Sequence, residues 1–261
     1  PFAVSATSTS GLAVTIASQT TGVCTVSGGT VTLVAPGTCT LRASQAGDGN
    51  WNAATPVDRS FQVNTVPVTH FSVTGAPASA TAGSSFSVTV SALDAGNAVT
   101  TGYLGTIHFT STDAAATLPS DYTFTAADAG VHTFTGLVLR TAGPRSVTAT
   151  DTVLASVTGT ASVSVTAAAA ASLAVAAPAN ATAGTSFSAT VTALDAYGNV
   201  ATGYLGRVHF TSTDAAATLP ADYAFTGADA GVHAFSGVTM KTSGARSLTA
   251  TDTVTAAVTG T

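Results

Sequence analysis

The chain has 261 residues, of which 7% are charged, with 12 acidic and 7 basic side chains and a net charge of −5 at pH 7. It contains no glutamate, and Lys241 is its single lysine. Without a basic patch or run, the electrostatic footprint of nucleic-acid binding is excluded. An alphabet of Thr, Ser, Val, Ala and Gly, poor in the usual helix formers, predicts strands and turns. Mean hydropathy is positive, but the longest weakly apolar run, Ala167 to Ala177, is interrupted by Ser172 and closed by Pro178. That is far short of the roughly 20 residues a spanning helix needs. The outward strand positions are Ser and Thr, which excludes the lipid-facing stripe of a membrane barrel. No leader or sorting segment is visible, as expected of a window cut from a longer chain.

Residues 1–65 form a first module. Val23 to Arg42 reads as a three-strand meander with turns at Ser27-Gly28-Gly29 and Ala35-Pro36-Gly37. Trp51 is expected to cap the core of this module. Asp48-Gly49-Asn50-Trp51-Asn52 imitates the start of an EF-hand loop, but Ala53 stands where that loop needs Gly and Arg59 where it needs Glu. Asn64-Thr65-Val66-Pro67 is the natural boundary.

Beyond it the same passage is written twice. Thr101 to Pro119 reads TGYLGTIHFTSTDAAATLP, and Thr202 to Pro220 reads TGYLGRVHFTSTDAAATLP. The offset is 101 at each landmark (Gly184 − Gly83, Gly203 − Gly102, Pro220 − Pro119), a whole domain rather than a solenoid repeat. In Ser85-Phe86-Ser87-Val88-Thr89-Val90-Ser91-Ala92 the apolar side chains share one face and the hydroxyls the other. Ser186 to Ala193 keeps the phase, as a half-buried antiparallel strand requires. Further strands fall at about 70–74, 104–112, 121–125, 131–140, 145–150 and 157–166. About seven short strands per roughly 100 residues predict an all-β fold of tandem immunoglobulin-like Greek-key sandwiches. Phe86, Val88, Val90, Phe109 and Phe134 belong in one core, with Phe187, Val191, Phe210 and Phe235 in the other.

Ala167–Ala171 reads as a strand-to-strand connection, because an isolated helix so short is marginal in water. The division is 1–65, 66–168 and 169–261. Both ends read as cut: the first module at its start, and the second copy at Gly260-Thr261, before a counterpart of Ala161-Ser162-Val163-Ser164-Val165.

Leu194-Asp195-Ala196-Tyr197-Gly198-Asn199-Val200, Val208-His209-Phe210-Thr211-Ser212 and Ser247-Leu248-Thr249-Ala250-Thr251-Asp252 resemble the bacterial immunoglobulin-like repeats of the invasin and intimin type. Residues 22–43, around VCTVSGGTVTLVAPGTCTLRA, resemble another such repeat. The resemblance covers nearly the whole chain and implies a stalk in a large surface protein. The first copy departs from the pattern at Asp94-Ala95-Gly96-Asn97-Ala98, where Gly and Asn are displaced by one position.

In an exported β-domain of this kind Cys24 and Cys39, the two cysteines, are expected to form a disulfide. His108 and His132, repeated as His209 and His233, invite a metal-site reading. They lie on strands of opposite sheets, however, with His108 outward and His132 pointing inward or at the core's edge, so structural roles are expected. Asp94 with Asn97, and Asp195 with Asn199, are weak calcium candidates, as are Asp113, Asp121, Asp128 and their copies. Carboxylates and carboxamides in Gly-bearing segments are also ordinary turn material. No catalytic motif or cofactor fingerprint is present. An isopeptide bond is excluded because Lys241 is matched by Arg140, a poor nucleophile.

The sequence thus predicts a non-catalytic, cofactor-free stalk, spacer or fibre segment of a bacterial cell-surface or extracellular protein. Its expected partners are neighbouring immunoglobulin-like domains of the same chain. Self-association into a filament, or glycans on Ser and Thr, are expected to shield the charge-poor surface. The rival reading is a glycan- or protein-binding adhesin module. Tyr103/Tyr204 and Tyr122/Tyr223, the repeated tyrosines, fit packing at strand ends instead.

Overall fold

A computed structural model describes residues 1–261. The chain divides into two compact units, residues 1–67 and 68–261. Apart from two single-turn 3-10 segments, all regular structure is β.

The first unit holds β1 (Phe2–Ala3), β2 (Thr15–Ser18), β3 (Cys24–Ser27), β4 (Thr30–Leu33), β5 (Gly37–Gln45) and β6 (Ala54–Val63). They make two three-stranded sheets, ordered β1-β4-β3 and β2-β5-β6. The β3–β4 hairpin turns at Gly28 and Gly29, both at positive φ (54° and 74°), the geometry of a twist-matched two-residue turn. The expected meander ends there. The amides of Val34 and Ala35 both turn back to the Val23 carbonyl, and Pro36 has no N–H to extend the ladder. The chain therefore crosses, and β5 joins the other sheet.

The core of this unit is small: Cys24, Val31, Cys39 and Leu41, flanked by partly buried residues such as Ile16 and Phe61. Cys24 and Cys39 are disulfide-bonded, with Cα atoms 5.7 Å apart, and tie the two sheets together. Trp51 does not cap this core; it is 55% exposed. Asp48 folds its segment into a turn, accepting the Asn50 and Trp51 amides on its carboxylate while its own N–H bonds the Trp51 carbonyl. That turn carries the indole outward.

In the second unit the first copy comprises β7 (His70–Thr74), β8 (Ser79–Thr81), β9 (Ser85–Leu93), β10 (Thr106–Ser111), β11 (Tyr122–Thr123), β12 (Val131–Val138), β13 (Gly143–Asp151) and β14 (Thr158–Thr166). One sheet is β12-β9-β7 and the other β11-β10-β13-β14-β8. It has one strand more than expected because the first strand is split. Gly75, at φ 79°, and the donor-less Pro77 break it, so β7 stays antiparallel to β9 while β8 crosses to run parallel to β14.

The second copy repeats the plan with β15 (Ser172–Ala176), β16 (Ser186–Leu194), β17 (Arg207–Ser212), β18 (Tyr223–Ala224), β19 (Val232–Thr239), β20 (Leu248–Asp252) and β21 (Thr259–Gly260). Its sheets are β15-β16-β19 and β18-β17-β20-β21.

The strand phase sets both cores. Val88, Val90, Phe109 and Phe134 are buried in one, and Val191, Phe210 and Phe235 in the other, with Phe86 and Phe187 half-buried against them. A one-residue slip would instead bury a row of hydroxyls. Facing sheets meet through edge-on rings, Phe109 on Phe134 at 4.8 Å and Phe210 on Phe235 at 4.7 Å.

Candidate functional site: the junction between the copies

The β16–β17 turn, Leu194 to Val200, is closed by its own backbone. Asp195 N–H bonds the Asn199 carbonyl at 2.9 Å, and Gly198, at φ 83°, donates to the Asp195 carbonyl. Asp195 then fixes the turn from inside, its Oδ1 accepting the Tyr197 and Asn199 amides at 2.9 and 2.8 Å. Its Oδ2 accepts Asn199 Nδ2 at 2.8 Å and the Ala168 amide, in the connection between copies, at 2.9 Å. Burial by itself would raise this acid, but the Asn199 side chain and the Ala168, Asn199 and Tyr197 amides outweigh it and hold it below its ordinary value.

Asn199 carries the turn into the first copy. Its Nδ2 donates to the Arg140 carbonyl at 2.7 Å, and its Oδ1 accepts the Ala142 amide at 2.8 Å. A carboxamide supplies a donor and an acceptor on separate atoms, and a carbonyl on one side with an N–H on the other fixes which atom is nitrogen. The Tyr197 ring lies against Gly83, and the Arg140 guanidinium sits 5.9 Å from the ring centroid.

The receiving loop is itself held rigid. Asp113, almost fully buried, accepts the Arg140 amide at 2.6 Å, the Thr141 amide at 2.9 Å, the Thr141 hydroxyl at 2.6 Å and the Ala115 amide at 3.0 Å. Burial works against its charge, yet those bonds, led by the Thr141 side chain, pull it down to about 2. Arg140 also donates to the Ala115 carbonyl and to Thr117 Oγ1. The connection has no helix: Ala168 packs on the first core and Ala170 on the second, while Ala171 N–H bonds the Leu194 carbonyl at 2.7 Å.

The first copy's own turn has the same backbone and lacks the contact groups. Asn97, at φ 64°, occupies the left-handed place of Gly198, so Gly96 and Ala98 stand where Tyr197 and Asn199 stand one repeat later. Asp94 Oδ1 accepts the Gly96 and Ala98 amides, and Asn97 Oδ1 pairs with His70 Nε2 at 3.0 Å within its own domain. Of the four calcium candidates in these two turns, the Asp195 and Asn199 side chains meet in one cluster while those of Asp94 and Asn97 make separate contacts. All four use their side-chain oxygens as hydrogen-bond acceptors.

The other candidates are likewise dispersed. His108 and His209 are exposed and pair with Asp121 at 2.6 Å and Asp222 at 2.7 Å. His132 and His233 stack on Tyr122 and Tyr223 and bond Asp128 and Asp229. No three His, Cys or Asp side chains are grouped as for a metal ion. Two pairings had no signal in the sequence: Tyr103 with Asp151 at 2.5 Å and Tyr204 with Asp252 at 2.6 Å. Burial, then the carboxylate, pushes both phenols far above their ordinary range.

No family model and no curated protein matches the chain. Among solved structures it is similar to FdeC, an Escherichia coli adhesin, at 22% identity and TM-score 0.45, over 94% of this chain and 82% of that one. It is similar to invasin, a bacterial integrin-binding protein, at 17% identity and TM-score 0.44, over 92% and 49% of the two chains. A third is the Yersinia pseudotuberculosis adhesin InvE, at 19% identity and TM-score 0.35, over 72% and 56%. The chain thus spans about half the length of the last two.

Proposed function

We propose that the chain is a non-catalytic spacer segment of a larger bacterial surface or secreted protein, built of three immunoglobulin-like domains at 1–65, 66–168 and 169–261. Three separate hydrophobic cores support that division. The observation that carries the functional reading is the junction described above. Domains joined by a flexible linker move relative to one another by default. Here one turn of the second copy bonds the linker, a loop of the first copy and itself, so the two copies share a single orientation. Fixed orientation turns repeated domains into length, which is what a stalk supplies.

The inter-sheet disulfide suits an oxidising compartment. The repeated tyrosines leave little for a ligand: Tyr103 is buried, Tyr204 packs on its core, and Tyr122 and Tyr223 donate to Asp128 and Asp229. The adhesin reading is favoured by one feature, the outward Trp51, since sugar sites use exposed aromatic faces. Glycan and host-protein arrays probed with the 261-residue chain decide between them. The spacer reading expects no saturable binding; binding abolished by Trp51→Ala would replace it with the adhesin reading.

A further inference from the structure

We propose that the end of the second copy formed by Gly184 and Lys241–Ser243 is a docking site for a further Asp-x-Tyr-Gly-Asn turn, carried by another domain of this kind. The proposal rests on the spacer reading and adds the partner and the groups that recognise it.

The site reproduces, one repeat on, the surface that already receives Tyr197 and Asn199. Gly184 and Gly83 share φ 84°, and each donates its amide at 2.8 Å to the strand behind it, at Met240 and Leu139. Asp214 accepts the Lys241 amide at 2.6 Å, the Thr242 amide at 2.9 Å and the Thr242 hydroxyl at 2.8 Å, as Asp113 does in the first copy. Side chains inside the domain therefore set the loop's shape before any partner arrives.

What differs is the outer side. In the first copy the Arg140 carbonyl and Ala142 amide are bonded to Asn199, and Gly83 faces Tyr197. In the second copy the Ser243 amide and Lys241 carbonyl bond no other group of the chain, and both residues are exposed. A β-carbon added to Gly184 would meet nothing within 4 Å.

These groups specify their occupant. An outward carbonyl beside an outward amide suits a side chain that donates from one atom and accepts at another, as the Asn199 carboxamide does at Arg140 and Ala142. A carboxylate would face the Lys241 carbonyl with like partial charge. The bare Gly184 backbone leaves room for an aromatic ring, and Lys241 is the counterpart, one repeat on, of Arg140, whose guanidinium meets the Tyr197 ring. No turn within the chain is free to serve: Leu194–Val200 is engaged with the first copy, and the first copy's turn carries Gly96 and Ala98 instead. The contact is head-to-tail and does not close on itself, so each added domain extends a line.

The test appends a second Ala161–Thr261 segment directly after Thr261, which preserves the 101-residue period and completes the last strand. Amide hydrogen exchange is read at Ser243. The proposal expects exchange slowed roughly tenfold or more against the 261-residue chain, and the fast rate restored when the appended counterpart of Asn199 is replaced by Ala. Unchanged exchange at Ser243, with the appended core itself protected, would overturn it. Concentration-dependent slowing in the unextended chain would also overturn it, assigning the surface to a second copy. Should the extension not fold, a cyclic peptide of Ala193–Ala201 in large excess should shift the Ser243 and Gly184 amide signals, and its Asn199→Ala form should not; no shift contradicts the proposal. A failed docking test leaves the spacer reading standing, because that reading depends on the existing junction and the binding arrays.

Discussion

Gly83 of the first copy lies so close beneath the Tyr197 ring of the second that a β-carbon at position 83 would overlap the phenol oxygen. The same glycine holds φ at 84°, a left-handed value that side chains disfavour. One residue thus serves its own domain's turn and clears the space its neighbour fills.

Asn199→Ala should loosen the junction while leaving both sandwiches folded. The variant removes the bonds to Arg140, Ala142 and Asp195, and each such bond contributes about 1 kcal/mol net. Hydrogen exchange at the Ala142 amide should quicken, with protection inside both cores unchanged. Equal exchange at Ala142 in the two proteins would remove Asn199 from the account.

Asp113→Asn and Asp214→Asn make a matched pair. Each carboxylate holds the loop after the strand that ends near Leu139 or Met240, and an amide cannot accept at both of its atoms. Each variant should cost its own copy about 1–3 kcal/mol, read from denaturant midpoints. Asp113→Asn should also quicken exchange at Ala142, because its loop receives Asn199, whereas Asp214→Asn should not. Identical behaviour of Ala142 in both variants would contradict the proposed support of the junction by Asp113.

Acid should destabilise the second unit in a defined window. Asp113 is held at about 2, and Asp128, Asp151, Asp195, Asp214, Asp229 and Asp252 all lie below their ordinary value. The unfolded chain takes up these protons near pH 3.9, the folded chain only at lower pH. The carboxylates' contribution is therefore complete above about pH 4 and is lost as pH falls toward about 2. Urea midpoints should drop across that interval, and a midpoint that stays level there would refute the carboxylate account.

Reduction of Cys24–Cys39 should act on residues 1–67 alone. The bridge closes a separation of 15 residues, worth roughly 3 kcal/mol by loop closure, in a unit whose buried core is four side chains, the two cysteines among them. Exchange throughout that unit should rise on reduction while both repeats keep their protection. A reduced first unit with unchanged protection would show the bridge to be dispensable.

How much of this was written in the sequence depends on the range of each interaction. The Ser85–Leu93 strand was legible because its alternation leaves one burial phase open, and the same holds for His108 outward; for His132 the phase allowed an inward place or the core's edge, and it takes the edge. The crossing at Pro36 was not, since a turn and a change of sheet share the same residues. Trp51 was not legible either: its size argues for burial, whereas the Asp48 turn decides where the indole points. The junction was the least visible: Asn199 meets residues 57 and 59 positions away, and no local pattern records that. Its one trace is the departure at Gly96 and Ala98, which reads as a displaced turn until Tyr197 and Asn199 are seen touching the preceding copy.

Residual dipolar couplings measured across residues 68–261 test the central claim most directly. If the Asp195–Asn199 turn locks the copies together, one alignment tensor fits the amides of both sandwiches, and Asn199→Ala splits it into two. Two unequal tensors in the unaltered chain would mean that the copies move independently, and the account of a stiff spacer would be wrong.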